Sequence, residues 1–297
     1  MRMGSAGILV NEHGQVLLIR RNDTRTFAPP GGSLEAGELP PDNAAREVRE
    51  ETGIIVMPVR LVGLYYWQPR HTGLLAFYFR CIQRGGELQT SVESPQVGFF
   101  ATNPLPKPML KLHRNRVQQA LTHAGGRPFW AHQHPSRSLQ LSYALLRFLV
   151  YPFLDWQRKR RELPPYVPPP VWQTAAVTII TNADGRILWR RDGDIWRLPG
   201  GAGLDNTSPW ETAIHHAQTQ LQQPISLTNL TGVYPAQHQP HMIFAFTAKV
   251  ETDRLPANTN LAYFPQDNEP ETALPAHKDY IADAFAPNEE TIFRYQA

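Results

Sequence analysis

The sequence predicts an α+β chain built from two similar units, and three observations support that reading. An apolar strand, a polar turn and a second strand run from Ser5 to Arg21, and a helix-forming stretch follows from Asp42. The same order of elements returns roughly 170 residues further on. A length of 297 residues suits two domains, each large enough for its own core.

The first unit opens with SAGILVNEHGQVLLIRR, which alternates like a strand, turns at Gly14 and closes on Arg20 and Arg21. Pro29-Pro30-Gly31-Gly32 reads as a tight loop whose backbone can approach a phosphate or a metal closely. From Asp42 the chain has no Gly or Pro until Gly53, so a helix is expected. Asp42 or Asn43 caps its start, and Gly53 suits a left-handed C-cap. On that helix Glu47, Glu50 and Glu51 stand at i, i+3 and i+4 and share a face. Like charges so close raise one another's pKa unless a cation sits among them. Oxygen-only donors of this type suit magnesium or manganese. The competing reading is a solvated face, with Arg46 pairing to Glu50 or Glu47 to Arg49.

The register of the whole segment separates these readings. Gly32, Glu38, Arg46-Glu47-Val48, Glu50-Glu51, Gly53 and Ile54 match every fixed position of GX5EX7REUXEEXGU, where U is aliphatic. The segment therefore resembles the Nudix box, and the first unit is identified as a member of the Nudix family. The resemblance implies a fold in which a mixed sheet is sandwiched between helices, with the box as a loop-helix-loop at its edge. It further implies that Glu47, Glu50 and Glu51 ligate magnesium together with the Gly31 carbonyl, while Glu38 and Arg46 steady the loop and the helix. A mobile glutamate downstream often assists as base or extra ligand in this family. Glu93 is the candidate here, with Glu87 as the alternate. Arg20 and Arg21 are candidate phosphate contacts, and Tyr66, beside Tyr65 and Trp67, offers a flat face for a base.

The echo lies in the second unit. Ala175 to Arg191, AAVTIITNADGRILWRR, repeats the strand-turn-strand pattern, and Leu198-Pro199-Gly200-Gly201 repeats the Gly loop. Leu61 to Tyr66 recurs as Leu230 to Tyr234, and the strand Gly73 to Arg80 as Met242 to Ala248. At the helix the echo fails. His215-His216-Ala217-Gln218-Thr219-Gln220 stands where Arg46 to Glu51 stood, and Glu211 lies off the ligand positions. Adjacent His215 and His216 point about 100 degrees apart on a helix and do not chelate one ion readily. The second unit thus reads as a degenerate Nudix-like copy, retained for packing, homodimerisation or ligand recognition. The expected boundaries are residues 1–124 for the intact domain, 125–171 for a linker and 172–297 for the degenerate domain.

The linker contains LQLSYALLRFLVYPFLDWQRKRR, an apolar stretch interrupted by Pro152, and ends in the Pro-rich ELPPYVPPP. We read it as an interdomain helix in preference to a membrane-surface anchor. The net charge of +3 divides into a basic middle, including Arg158 to Arg161, and an acidic end, including Glu289 and Glu290. No stable nucleic-acid complex is expected. The single cysteine, Cys81, excludes an internal disulfide and suits a cytoplasmic setting. No segment has the roughly twenty uncharged apolar residues of a spanning helix.

Together these features predict a magnesium-dependent (or manganese-dependent) pyrophosphohydrolase with a small nucleotide substrate: a nucleotide sugar, ADP-ribose or a nucleoside triphosphate. The alternative is a nucleotide-binding sensor with little turnover.

Overall fold

The computed structural model describes residues 1–68, 72–90, 94–134, 168–256, 260–287 and 289–296. The apolar stretch 139–161 and Glu93, both singled out from the sequence, lie outside them.

The first half runs β1 (Arg2–Leu9), β2 (Val16–Arg20), β3 (Phe27–Ala28), β4 (Gly31–Ser33), α1 (Pro40–Thr52), β5 (Ile54–Trp67), β6 (Leu74–Gly86), β7 (Gln96–Phe100), α2 (Lys111–Thr122) and β8 (Phe129–His132). Five strands form a mixed sheet in the order β4-β1-β6-β5-β8, and β3-β2-β7 form a smaller one. Strand alternation sends neighbouring side chains to opposite faces. Phe77 and Phe79 join Ala44 and Val48 of α1 in one core. Tyr78, between them in sequence, joins Val117 and Ala120 of α2 in another. The sheet therefore lies between the two helices.

The strand-turn-strand segment is not the simple hairpin its sequence suggests. Asn11 Oδ1 accepts from the backbone N–H groups of His13 and Gln15, and Gly14 takes φ 72° to close the turn. Beyond a single bridge, Val10 to Val16, the strands part: β1 enters the five-stranded sheet and β2 the smaller one. Gly31 and Gly32 likewise sit in a short strand, antiparallel to β1, rather than in a free loop.

The second half runs β9 (Gln173–Ile180), β10 (Ile187–Asp192), β11 (Ile195–Arg197), β12 (Gly200–Ala202), α3 (Pro209–Leu221), β13 (Ile225–Pro235), β14 (His241–Val250), β15 (Leu261–Phe264), α4 (Pro275–Ala284) and β16 (Ile292–Phe293). Its sheets have the orders β12-β9-β14-β13-β16 and β11-β10-β15. Their register follows the first half. Ala6 pairs with Gly31 on one side and Tyr78 on the other, and Val177 pairs with Gly200 and Ala245. Gly63 pairs with Phe129 as Gly232 pairs with Ile292.

One apolar cluster joins the halves. It contains Tyr66, Phe77 and Phe79 with Trp210, Phe244 and Phe246. Phe79 meets Phe293 edge-on at 5.3 Å between centroids, and Trp130 meets Phe246 edge-on at 6.1 Å. Met1 and Trp172 exchange backbone hydrogen bonds of 2.7 Å. By register these contacts come in exchanged pairs, as in an isologous dimer interface. No helix among the described residues is long and apolar enough to cross a membrane.

Candidate active site

The site is organised on α1. This helix starts two residues earlier than its sequence suggests: Leu39 is the N-cap, without a side-chain cap, and Pro40 and Pro41 open the first turn. Proline is tolerated there because the first helical N–H groups have no partner within the helix. Asp42 lies in the first turn, and Asn43, fully buried, donates from Nδ2 to the Ser33 carbonyl at 3.0 Å. Asn43 thus ties the helix to the Gly loop, a role its sequence position had suggested only as a cap. Gly53 ends the helix at φ 75°, where a left-handed residue is needed.

Arg46 is the hub of the acidic face. Its Nε and Nη2 donate to the two oxygens of Glu38 at 2.8 and 3.1 Å, a bidentate clamp. Its Nη1 reaches Glu47 at 3.0 Å and Glu50 at 3.1 Å, and Nη2 also donates to the Ser33 carbonyl. The hydrogen bond to Glu38 raises the Arg46 pKa, so the guanidinium stays charged. Glu38 and Arg46, to which the resemblance gives a steadying role, are thus bonded to each other, and the Arg46–Glu50 pair of the surface reading is also formed.

Glu47 and Glu51 press against the Gly strand. Glu51 Oε2 accepts from the Gly31 N–H at 2.8 Å. A Cβ on Gly32 would lie 2.5 Å from the Glu47 carboxyl, so only glycine leaves that carboxyl its place. Burial pushes the Glu47 pKa above the ordinary carboxylate range; Glu50 and Glu38 push the same way, and Arg46 opposes them. Glu50 is the open one, with 51% of its side chain exposed against 14% for Glu47.

Among the described residues no three acidic, His or Cys side chains converge tightly enough to form a ready-made cage for a metal. The donor set nevertheless fits a hard divalent cation. Two carboxylates lie against the loop and a third lies beside them, burial holds back ionisation of Glu47, and the Arg46 guanidinium already places cationic charge among them.

The other sequence candidates have partners of their own. Arg21 forms an ion pair with Asp23 at 2.7 Å, and Arg20 Nε donates to the Arg25 carbonyl, so both brace the turn after β2. Tyr66 is fully buried, edge-on to His132 and Trp210 between the halves, so its ring face is not open to a base. Tyr65 is also core, donating to Gln119 Oε1. Glu87 is exposed, and its backbone carbonyl abuts Gly53 at the helix end.

The equivalent place in the second half is closed by an amide and an imidazole in place of carboxylates. Gln220 Nε2 donates to the Gly200 carbonyl at 2.9 Å, and its Oε1 accepts from the Gly200 N–H at 3.1 Å. His216 lies against Gly201, as Glu47 lies against Gly32, with Nε2 2.8 Å from the Ala202 carbonyl. Glu211 belongs to a capping box with Ser208 and an ion pair with His132 at 2.9 Å.

Residues 1–119 match the NUDIX domain family model. A MutT-like protein of Streptomyces ambofaciens is 42% identical over 120 residues, which cover 40% of this chain and 77% of that protein. An ADP-ribose pyrophosphatase of Methanocaldococcus jannaschii is 34% identical over 106 residues, 33% of this chain and 62% of that protein. An 8-oxo-dGDP phosphatase of Mus musculus is 33% identical over 109 residues, 34% of this chain and 33% of that protein. The chain thus spans less than two thirds of the second and third of these relatives.

Proposed function

The chain belongs to the Nudix family of pyrophosphohydrolases, and we propose that its first half hydrolyses the diphosphate bond of a small nucleoside diphosphate derivative with magnesium or manganese. The observation that supports this most is the placement of Glu47 and Glu51 against Gly31 and Gly32, with Glu50 beside them and open to solvent. Glu47, Glu50 and Glu51, with the Gly31 carbonyl, are the proposed holders of the ion. A divalent cation in such a site supplies charge neutralisation at the diphosphate oxygens and a more acidic water.

The residues of the chain do the rest. Arg46, clamped by Glu38, fixes the rotamers of Glu47 and Glu50. Either Glu50, the most exposed carboxylate of the set, or Glu93, the candidate base read from the sequence, accepts the proton of the attacking water. Water oxygen bonds to phosphorus, the bridging P–O bond breaks, and the products are a nucleoside monophosphate and a phosphorylated remainder. From a triphosphate the second product is pyrophosphate.

ADP-ribose and oxidised guanine nucleotides are the first substrates to try, because the relatives bear those names. We also propose that the chain is a tandem of two Nudix-like domains and that the second copy is degenerate. The matching strand order supports this, as do Gln220 and His216 in place of the carboxylates at the positions of Glu51 and Glu47. The testing experiment is a screen of ADP-ribose, nucleotide sugars and nucleoside triphosphates with each metal. Turnover of at least one is expected; tight binding of one with turnover of none would favour a sensor.

A further inference from the structure

The box loop of the first half is held from outside by the second half. Gly37, which precedes Glu38, takes φ 78° and accepts a hydrogen bond at its carbonyl from the Tyr295 hydroxyl at 3.1 Å. A Cβ at Gly37 would lie 2.5 Å from the Gln237 carbonyl. Both contacts come from the second half: Gln237 from the turn between β13 and β14, Tyr295 from the segment after β16.

That segment is itself anchored. Gln296 donates from its backbone N–H to the Pro235 carbonyl at 3.0 Å and from Nε2 to the Tyr234 carbonyl at 2.8 Å. Arg294 pairs with Asp283 at 3.0 Å. The Tyr295 hydroxyl is therefore presented by a fixed backbone, and Gly37 lies against both it and the Gln237 backbone. The next residue, Glu38, clamps Arg46, which sets Glu47 and Glu50.

We propose that Tyr295 is a positioning residue for the first half's active site, and that the second half acts as a built-in partner completing it. The inference rests on the hydrolase reading above, and it assigns the second half a task in the reaction beyond burying apolar surface. Loss of the Tyr295 hydroxyl releases Gly37, loosens Glu38, and leaves Arg46 and the carboxylates less ordered.

The test uses the full chain with Tyr295→Phe, and Thr291→Val as a control that removes the buried hydrogen bond to the Leu230 carbonyl without touching Gly37. Mn2+ binding is measured by calorimetry, alongside kcat, KM and Tm. Losing one neutral hydrogen bond should weaken Mn2+ binding about threefold to tenfold. In Tyr295→Phe, kcat should fall with KM held and Tm little changed; in Thr291→Val, Tm should fall while Mn2+ binding is kept. Amide exchange at residues 34–38 should quicken only in Tyr295→Phe. Wild-type Mn2+ binding and kcat in Tyr295→Phe would overturn the inference and leave the hydrolase reading standing. A wild-type protein that neither binds Mn2+ nor turns over a nucleotide overturns both.

Discussion

Phe77 and Phe244 stack nearly parallel across the two halves, with ring centroids 6.2 Å apart and planes 9° from coplanar. They occupy the same position in β6 and β14, one residue before Tyr78 and Ala245, which hold matching places in the sheets. Both are fully buried. Truncating either to alanine should cost about 3–5 kcal/mol, and the double variant should cost less than the sum because both single changes open the same cavity. Urea denaturation read separately in each half should show one shared transition in the wild type. Two independent transitions would mean that this stack does not couple the halves.

Gly32→Ala tests the seat of Glu47. The added Cβ meets the carboxyl end of a flexible side chain, so the fold should survive with little loss while Glu47 is displaced. Activity should fall at least tenfold and the metal requirement should rise. Gly201→Ala meets the ring of His216 in the same way and should leave turnover near wild type. Metal titrations of both variants make the comparison.

Glu47 has a raised pKa because it is buried, with Glu50 and Glu38 adding repulsion. Its folded-state pKa lies above the unfolded one, so in the metal-free protein this group favours folding below its unfolded pKa and opposes it as pH rises through the folded value. Divalent metal binds the ionised carboxylate, so binding should weaken as pH falls through the raised value of this group and release protons there, which calorimetry in buffers of different ionisation enthalpy detects. Glu47→Gln should abolish the proton release together with the binding.

His277 lies buried beneath Trp189 and Tyr280 and accepts the Leu198 N–H at Nδ1. Burial, with Arg197 adding to it, lowers its pKa to about 4. The sign is that of a group kept neutral in the fold. Its contribution is intact above the unfolded value near 6.5 and is lost as pH falls from there to about 4. The stability of His277→Gln should fall less steeply than wild type over that window. Parallel slopes in urea titrations would contradict the assignment.

Much of the site was legible because its chemistry depends on spacing. A helix brings i, i+3 and i+4 together, so the shared face of Glu47, Glu50 and Glu51 follows from sequence, as does the left-handed Gly53. The family pattern gives Glu38 and Arg46 a steadying role, and in the fold the two are joined to each other by a bidentate clamp. The helix start was missed because Pro40 and Pro41 look like breakers until they fall in the first turn, where no N–H is needed. The hairpin expected from the sequence failed because local alternation does not say which sheet a strand joins. Tyr66 reads equally as a base platform or as core, and its burial against His132 and the second half's Trp210 decides it. Tyr295 lies 258 residues from Gly37, a contact that no local pattern encodes.

The most direct test of the account is nucleotide hydrolysis by the full chain with magnesium, comparing wild type with Glu50→Gln, Glu51→Gln and His216→Ala. The account predicts turnover of a nucleoside diphosphate derivative that falls by about a thousandfold or more when either glutamate is changed, and that persists in His216→Ala. Turnover that survives both glutamine substitutions, or that disappears with His216→Ala, would contradict the placement of the active site in the first half.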